Sequence, residues 1–268
     1  MRSQLLPEAA AARPCCALYR WLVVGLIFLV VLILFVQRIN VSVAIIPWAT
    51  ECGWNEAQQQ SLLGAFFWGY LVTMFPGALL SNRFTAHHEG LAVVLVLSCA
   101  LCAATPLAGC NAELAAAARI GVGMAQGPLF PLVSGLFGQW VRPNEYSRAN
   151  AFVCEGSNLG VLVAFPVTSL ICRFGGWRSA FFIPAAAGVP CLLLLLVFGS
   201  STPGSNRWVS AEEKAVLRAA RRSAVAEDDV VSVRWGCMLT HPVVSAATVG
   251  LGCGAAANPT VDRCHRFG

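Results

Sequence analysis

Trp21-Leu-Val-Val-Gly-Leu-Ile-Phe-Leu-Val-Val-Leu-Ile-Leu-Phe-Val-Gln37 carries no charge, and after a single Arg38 the run resumes as Ile39–Thr50. A helix rises about 1.5 Å per residue, so about 20 mostly apolar residues cross the hydrocarbon core of a bilayer. The stretch after Arg20 is too long for the apolar region of a cleavable signal peptide, and it leads into more of the same. Uncharged runs recur at Ala57–Asn82 (26 residues), Gly90–Ala112 (23), Ile120–Val141 (22), Gly156–Cys172 (17) and Ser179–Asn206 (28). They predict six spans, at about 20–47, 58–80, 90–108, 114–138, 146–172 and 178–199. The expected fold is an all-α polytopic membrane protein.

Composition agrees. Of 268 residues, 57% are hydrophobic and 12% charged, about half the charge of an average soluble domain. Intrinsic disorder needs the opposite balance. A formal net charge of +5 does not make a nucleic-acid surface, because the charges are few and confined to short segments between neutral runs. Those segments set an orientation, since cytosolic loops are enriched in Lys and Arg. With the N-terminus inside, 12 of the 18 Lys and Arg fall on the cytosolic side and only Arg173 and Arg178 on the other. Residues 200–236 differ in kind, carrying 11 of the 31 charges. Ser210-Ala-Glu-Glu213 reads as a capping box opening a short surface helix to about Ser223.

The second and fifth spans echo each other. Gly69-Tyr-Leu-Val-Thr-Met-Phe-Pro76 runs on to Arg83-Phe84, and Gly160-Val-Leu-Val-Ala-Phe-Pro166 to Arg173-Phe174. Three-span units repeated with inverted topology are characteristic of secondary transporters.

Two arginines fall within spans. Arg38 lies about 27 Å of helix beyond Arg20, among Gln37, Asn40 and Ser42. An intramembrane cation is costly and is usually paired, cavity-facing or functional; snorkelling to the interface is the plainer alternative. Arg119 opens the fourth span, where an interfacial anchor is the plainer reading. On the first and fourth spans, the two are expected at equivalent places in the two repeats, holding an anion between them. The planar guanidinium fork suits carboxylate or phosphate. Glu155 reads as a proton site, a partner for an arginine, or a snorkelling or locally paired carboxylate.

Other features carry less. Gly121, Gly123 and Gly127 lack the strand and Lys of a phosphate loop, and Gly123-x-x-x-Gly127 predicts close helix packing. Asn40-Val-Ser42 matches a glycosylation sequon but lies within a span. Cys15-Cys16 are free thiols or palmitoylation sites. Cys52 and Cys110 share the non-cytosolic face, either bridged or free. Cys237 and His241 lack further metal ligands at useful spacing. His87 and His88 read as solvated loop residues. With no catalytic constellation, we expect no enzyme activity, cofactor or metal.

Ser61-Leu-Leu-Gly-Ala-Phe-Phe-Trp-Gly-Tyr70, Phe75-Pro-Gly77, Ser81-Asn-Arg83, Arg119-Ile-Gly-Val-Gly-Met-Ala-Gln-Gly-Pro-Leu-Phe-Pro131, Trp140, Pro143, Glu145, Ser147-Arg148, Pro166, Gly176-Trp177, Phe181-Phe182 and Trp208-Val-Ser-Ala-Glu-Glu-Lys214 form a joint pattern across residues 20–240. It resembles the anion-transporting branch of the major facilitator superfamily, with its vesicular glutamate and nucleotide transporters, sialin, sodium–phosphate cotransporters and plant phosphate transporter 4. The short loop Cys52-Gly-Trp-Asn55 and the Gln126-Gly127 pair look most like the vesicular nucleotide transporters. Gln126 stands where sialin-like and glutamate members usually have Glu, and Leu63 where the glutamate transporters have His. Both departures weigh against carrying over proton coupling and glutamate selectivity.

The resemblance implies transport of an organic anion, nucleotide or phosphate by alternating access, with a proton or sodium ion as the candidate partner for symport. Arg38 and Arg119 match the cations of a central anion site; Tyr70 lines it and Gln126 joins the candidate binding residues. It implies two inverted three-span repeats forming an N-terminal six-helix half at 20–199. A cytosolic tail precedes it at 1–19, a cytosolic linker follows at 200–236, and 237–268 holds a partial seventh helix and an atypical tail. The abrupt change after Ala257 reads as a truncated or misassembled gene model or an alternative transcript. The rival expectation is a non-transporting half or an inactive fragment.

Overall fold

A computed structural model describes residues 14–83, 87–200 and 202, with backbone alone for 14–18 and 80–83. These residues belong to one compact unit, Met1–Arg221. The expected capping box at Ser210–Glu213, the surface helix, the partial seventh span and the terminal tail lie outside the described residues. So do the side chains of Cys15, Cys16 and Arg83.

Every expected span is helical. Helix α1 covers Pro14–Cys52, α2 Glu56–Arg83, α3 His87–Ala104, α4 Ala112–Gln126, α5 Leu129–Trp140 and α6 Tyr146–Phe198, with short 3-10 turns at Thr105–Ala108 and Pro143–Glu145. Polar residues in the tight connections start the helices. Asn55 Oδ1 accepts from the Gln58 N–H at 2.9 Å while Gln58 Oε1 accepts from the Asn55 N–H at 3.0 Å, a reciprocal cap for α2. Asn111 Oδ1 accepts from the Glu113 and Leu114 N–H groups and so opens α4.

Five stretches are long and apolar enough to cross a membrane by length and composition, and the last, Pro143–Phe198, has 56 residues. That is about 80 Å of helix against a hydrocarbon core of roughly 30 Å. Gly176 resolves the excess, with φ 74° and ψ 168° inside α6, a combination open essentially to glycine alone. Contacts along α1 show that the chain reverses there. Phe28 stacks on Phe152, and Leu32 O lies against Gly160, so 146–175 runs parallel to α1. Gln37 then meets Pro184, Asn40 meets Ala180 and Trp48 stacks on Trp177, so 177–198 runs antiparallel. The fifth and sixth spans therefore match the expected 146–172 and 178–199. The fourth span, expected as one helix over 114–138, is α4 and α5 in series. Pro128 has no N–H to continue the ladder and becomes the N-cap of α5.

Backbones approach closely in two parallel pairs. A Cβ at Gly69 would come within 2.0 Å of Ile120 O, and one at Gly123 within 2.1 Å of Phe66 O, so α2 and α4 touch through their main chains. Gly123-x-x-x-Gly127 thus packs as its spacing predicts. On the other pair, a Cβ at Gly156 or Gly160 would come within 2.9 Å of Phe28 O or 2.8 Å of Leu32 O of α1. Span 1 against span 5 and span 4 against span 2 are exchanged by the relation 1↔4, 2↔5. Gly69 and Gly160, the glycines of the sequence echo, each face a partner carbonyl.

The core is two apolar clusters. One runs from Val23 to Leu34 on α1 with Leu91, Leu95, Leu129–Val141 and Leu195; the other from Val41 to Trp54 with Cys102, Ala115 and Trp177–Ala185. At the second end Cys52 and Cys110 form a disulfide. At the first, His87 and His88 correct the expectation of solvated loop residues. Helix α3 begins at His87, one turn before the apolar run, and both rings are buried. His88 Nε2 lies 2.8 Å from Leu195 O, and the His87 ring fills the space over Gly135.

Candidate functional site

Between the two apolar clusters lies a polar layer: Gln37, Arg38 and Asn40 from α1, Ser98 from α3, Arg119 and Gln126 from α4. The Arg38 guanidinium turns in between α1 and α2. Its carbon lies 4.5 Å from the centroid of the Phe35 ring, 4.6 Å from Phe66 and 5.0 Å from Tyr70. The negative ring faces hold the cation, each such contact contributing about 0.5–2 kcal/mol. Rings cannot accept in-plane hydrogen bonds, and Arg38 Nε and Nη2 have no hydrogen-bond partner. Arg38 as a whole is half-buried, while these two donors are themselves buried and unpaired.

Arg119 is 0% exposed. Its Nη2 donates to Arg38 O at 3.1 Å and its Nη1 to Gln37 O at 3.5 Å, while Nε has no partner. It braces the turn of α1 that carries Arg38 and stands behind that residue. Among the described residues neither arginine has a carboxylate partner. The ion pairs among the described residues, Arg20–Glu145 at 3.0 Å and Arg178–Glu51 at 2.9 Å, lie at the two ends of the bundle. The layer therefore holds two uncompensated positive charges, which low-dielectric surroundings make strongly attractive to anions.

The arginines share a depth without sharing a repeat position, which corrects the expectation that they occupy equivalent places. Through the glycine contacts Ile120 of α4 corresponds to Leu32 of α1, so Arg119 corresponds to Val31. Spans 1 and 4 run in opposite directions, and Arg38 comes late in one while Arg119 comes early in the other. Equal depth and repeat equivalence coincide only at the midplane.

Gln126 is also 0% exposed. Its Nε2 donates to Ser98 Oγ at 2.7 Å and to Leu34 O at 3.3 Å; its Oε1 has no partner. Ser98 Oγ donates to Gln37 Oε1 at 2.7 Å, and Gln37 Nε2 reaches Pro184 O at 3.3 Å. The structure thus brings Arg38, Tyr70 and Arg119 together and joins Gln126 to them through a buried amide–hydroxyl chain. Glu155 stays apart, exposed on α6, with Asn158 Nδ2 at 3.4 Å from each oxygen, the locally paired carboxylate among its expected roles. Sequence reasoning passed over Ser98, whose only signal is a hydroxyl in an otherwise apolar stretch of the third span.

The sequence model of the Major Facilitator Superfamily matches residues 27–261. The chain belongs to this superfamily. Similar proteins lie in its anion-transporter branch. "Probable anion transporter 1, chloroplastic" of Oryza sativa subsp. japonica is 30% identical over 237 residues, covering 87% of this chain and 44% of the relative. "Ascorbate transporter, chloroplastic" of Arabidopsis thaliana is 28% identical over 236 residues, covering 87% and 43%. "Sodium-dependent phosphate transport protein 1, chloroplastic" of Arabidopsis thaliana is 27% identical over 227 residues, covering 85% and 44%. The chain spans less than half the length of these curated relatives. As a superfamily member with several long apolar helices, it is an integral, multi-pass membrane protein. The carboxylate-free arginine layer is what a superfamily fold needs if its cargo is negative: a fixed positive field at depth, with hydrogen-bond donors left open.

Proposed function

We propose that this chain supplies one half of a transporter that moves a small anion across a membrane by alternating access. The observation that carries the reading is the pair of carboxylate-free guanidinium groups in the buried polar layer. Arg38 meets the anion, with Tyr70 lining the same place; Arg119 acts from behind, through charge and through its grip on α1; Gln126 holds α4 to α1. The six spans, read as two inverted three-span repeats, form the half at 20–199, and 200–236 is its cytosolic linker. The N-terminus lies in the cytosol, as the 12-to-2 bias of basic residues indicates. The Cys52–Cys110 disulfide falls on the opposite, oxidising side. Phosphate, ascorbate and other organic anions, nucleotides included, are the cargo classes to try, the first two because relatives carry those names. A proton or sodium ion is the candidate coupling ion.

The test is uptake into proteoliposomes of phosphate, ascorbate, ATP and glutamate, under an imposed membrane potential and with or without a sodium or proton gradient. The chain is assayed alone and joined to a second six-span half. Anion uptake by the joined protein that Arg38→Ala abolishes supports the reading; uptake unaffected by Arg38→Ala and Arg119→Ala refutes it. A second reading, a half that transports nothing by itself, is favoured by the short coverage of the relatives. Uptake by the 268-residue chain alone would exclude it.

A further inference from the structure

We infer that Ser98 is a positioning residue for the anion site, the hinge-pin that fixes α4 against α1 and thereby sets where Arg119 braces Arg38. This deepens the proposed function and rests on its anion reading. Ser98 sits on α3, contributes nothing to the charge of the layer, and is fully buried. Its hydroxyl accepts from Gln126 Nε2 and donates to Gln37 Oε1, both at 2.7 Å. One oxygen thus orders two amides from two other spans, and with Gln37 Nε2 on Pro184 O it joins four of the six spans. The geometry also fixes the amide orientations. Because Ser98 Oγ donates to Gln37, it must receive its own hydrogen bond from the NH2 of Gln126, which leaves Gln126 Oε1 turned away and unpartnered.

The consequence reaches the arginines through the backbone. Gln37 O is itself an acceptor for Arg119 Nη1, and the next carbonyl, Arg38 O, accepts from Arg119 Nη2. The serine holds the Gln37 side chain from one side while the arginine holds its carbonyl from the other. Without the hydroxyl, two buried amides lose a partner at once in surroundings with no water to replace it. The α1–α3–α4 contact then relaxes around Arg38 although no charge has been removed.

The test uses the full chain in lipid nanodiscs with inorganic phosphate as the probe. A phosphate-dependent rise in melting temperature yields the apparent Kd, because a ligand bound to the native state stabilises it. Ser98→Ala is expected to weaken phosphate about tenfold, the scale of one unpaired buried polar group. Ser98→Thr keeps the hydroxyl and is expected to stay within about twofold of the parent. In parallel, alkylation of the buried thiol Cys102, one turn from Ser98 on α3, by a membrane-permeant maleimide should quicken in Ser98→Ala and return to the parent rate in Ser98→Thr. Parent-like affinity together with parent-like alkylation in Ser98→Ala would overturn the inference. If the parent itself shows no phosphate-dependent shift, phosphate is ruled out as the ligand of this half, and the alkylation rates alone decide whether Ser98 orders the three spans.

Discussion

Arg119→Met separates what the buried cation does for the fold from what it does for an anion. Methionine keeps much of the side-chain length and removes the charge. A charged side chain at the centre of a membrane helix costs about 2.5–3.5 kcal/mol on insertion scales, and Arg119 offsets that cost with hydrogen bonds to Gln37 O and Arg38 O rather than with a carboxylate. Those carbonyls belong to the interior of α1 and keep their helical N–H partners when Arg119 is gone. Replacing even a buried ion pair by apolar side chains of similar volume is often neutral or stabilising by about 1–4 kcal/mol, and Arg119 has no such partner among the described residues. We expect Arg119→Met to melt higher, by about 2–4 °C for each kcal/mol gained. The anion should respond the other way. Arg119 stands behind the α1 backbone, so an anion at about 4 Å from Arg38 is taken at twice that separation, about 8 Å, from Arg119. At an effective dielectric of about 20, unit charges at these distances interact by about 4 and about 2 kcal/mol. Arg38→Met should then weaken phosphate by about a thousandfold and Arg119→Met by about thirtyfold. Phosphate titration of melting temperature, for parent and both variants, reads stability and affinity from the same curves. Equal losses of affinity would refute the arrangement of one contacting and one bracing arginine; a lower melting temperature for Arg119→Met would refute the claim that this cation is a cost to the fold.

Three further outcomes follow from backbone geometry. Gly123→Ala should destabilise by about 1–3 kcal/mol, since its Cβ would meet Phe66 O at 2.1 Å, whereas Gly121→Ala, two residues earlier with Leu101 Cδ1 at 3.4 Å, should be tolerated; thermal melting of the two variants side by side decides it. Gly176→Ala has open space around it but a φ of +74°, so it should cost about 1–3 kcal/mol of backbone strain, seen as a lowered melting temperature. Reducing the Cys52–Cys110 bridge, which closes a separation of 58 residues, should cost about 4 kcal/mol by the chain-entropy relation; an unchanged melting temperature in dithiothreitol would count against it.

The spans were legible because a bilayer imposes one demand, a long uncharged run, that sequence states directly. Their ends were less so. The first helical residues after the caps, Glu56 and Ala112, lie two residues before the expected starts, but His87 and His88 look like loop chemistry and become helix only because α6 and α5 come in from elsewhere to cover them. The break in the fourth span was written in Gly127-Pro128, a pair that removes a hydrogen bond whatever the surroundings. Arg38 and Arg119 stood out as charges in apolar runs, and their carboxylate-free surroundings needed coordinates. Ser98 was hidden for the converse reason. A lone serine is common in a membrane helix, and its meaning lies in two glutamines that are 61 and 28 residues away in the chain. The echo of Gly69 and Gly160 was visible in the sequence, while the different register of Arg38 and Arg119 emerges only from the partner carbonyls of those glycines.

Where the movable parts lie can be argued from how the bundle is tied. At one end the disulfide joins the loop after span 1 to the loop after span 3. Trp48 and Trp54 donate to Gly109 O and Cys110 O at 2.9 and 3.0 Å, and Glu51 accepts from both Trp177 and Arg178. At the other end Arg20 pairs with Glu145, and three carbonyls at the end of α6 and just after it are held by side chains: Leu195 O, which also accepts from the Gly199 N–H, by His88, Phe198 O by Tyr19 and Ser200 O by Trp140. Spans 1, 3, 4 and 6 are thus fastened above and below the polar layer, and spans 2 and 5 lie against 4 and 1 with glycine-to-carbonyl contacts that leave no room to slide. An element tied at both ends and in the middle moves as a body. If access to Arg38 alternates, the rearrangement must lie between this body and whatever faces it, with the arginines carried along at fixed spacing. A bifunctional crosslink within the body, between Cys residues introduced at Phe28 and Phe152, whose rings stack at 4.7 Å, should therefore leave anion exchange intact, and loss of exchange on crosslinking would place the motion inside the six spans instead.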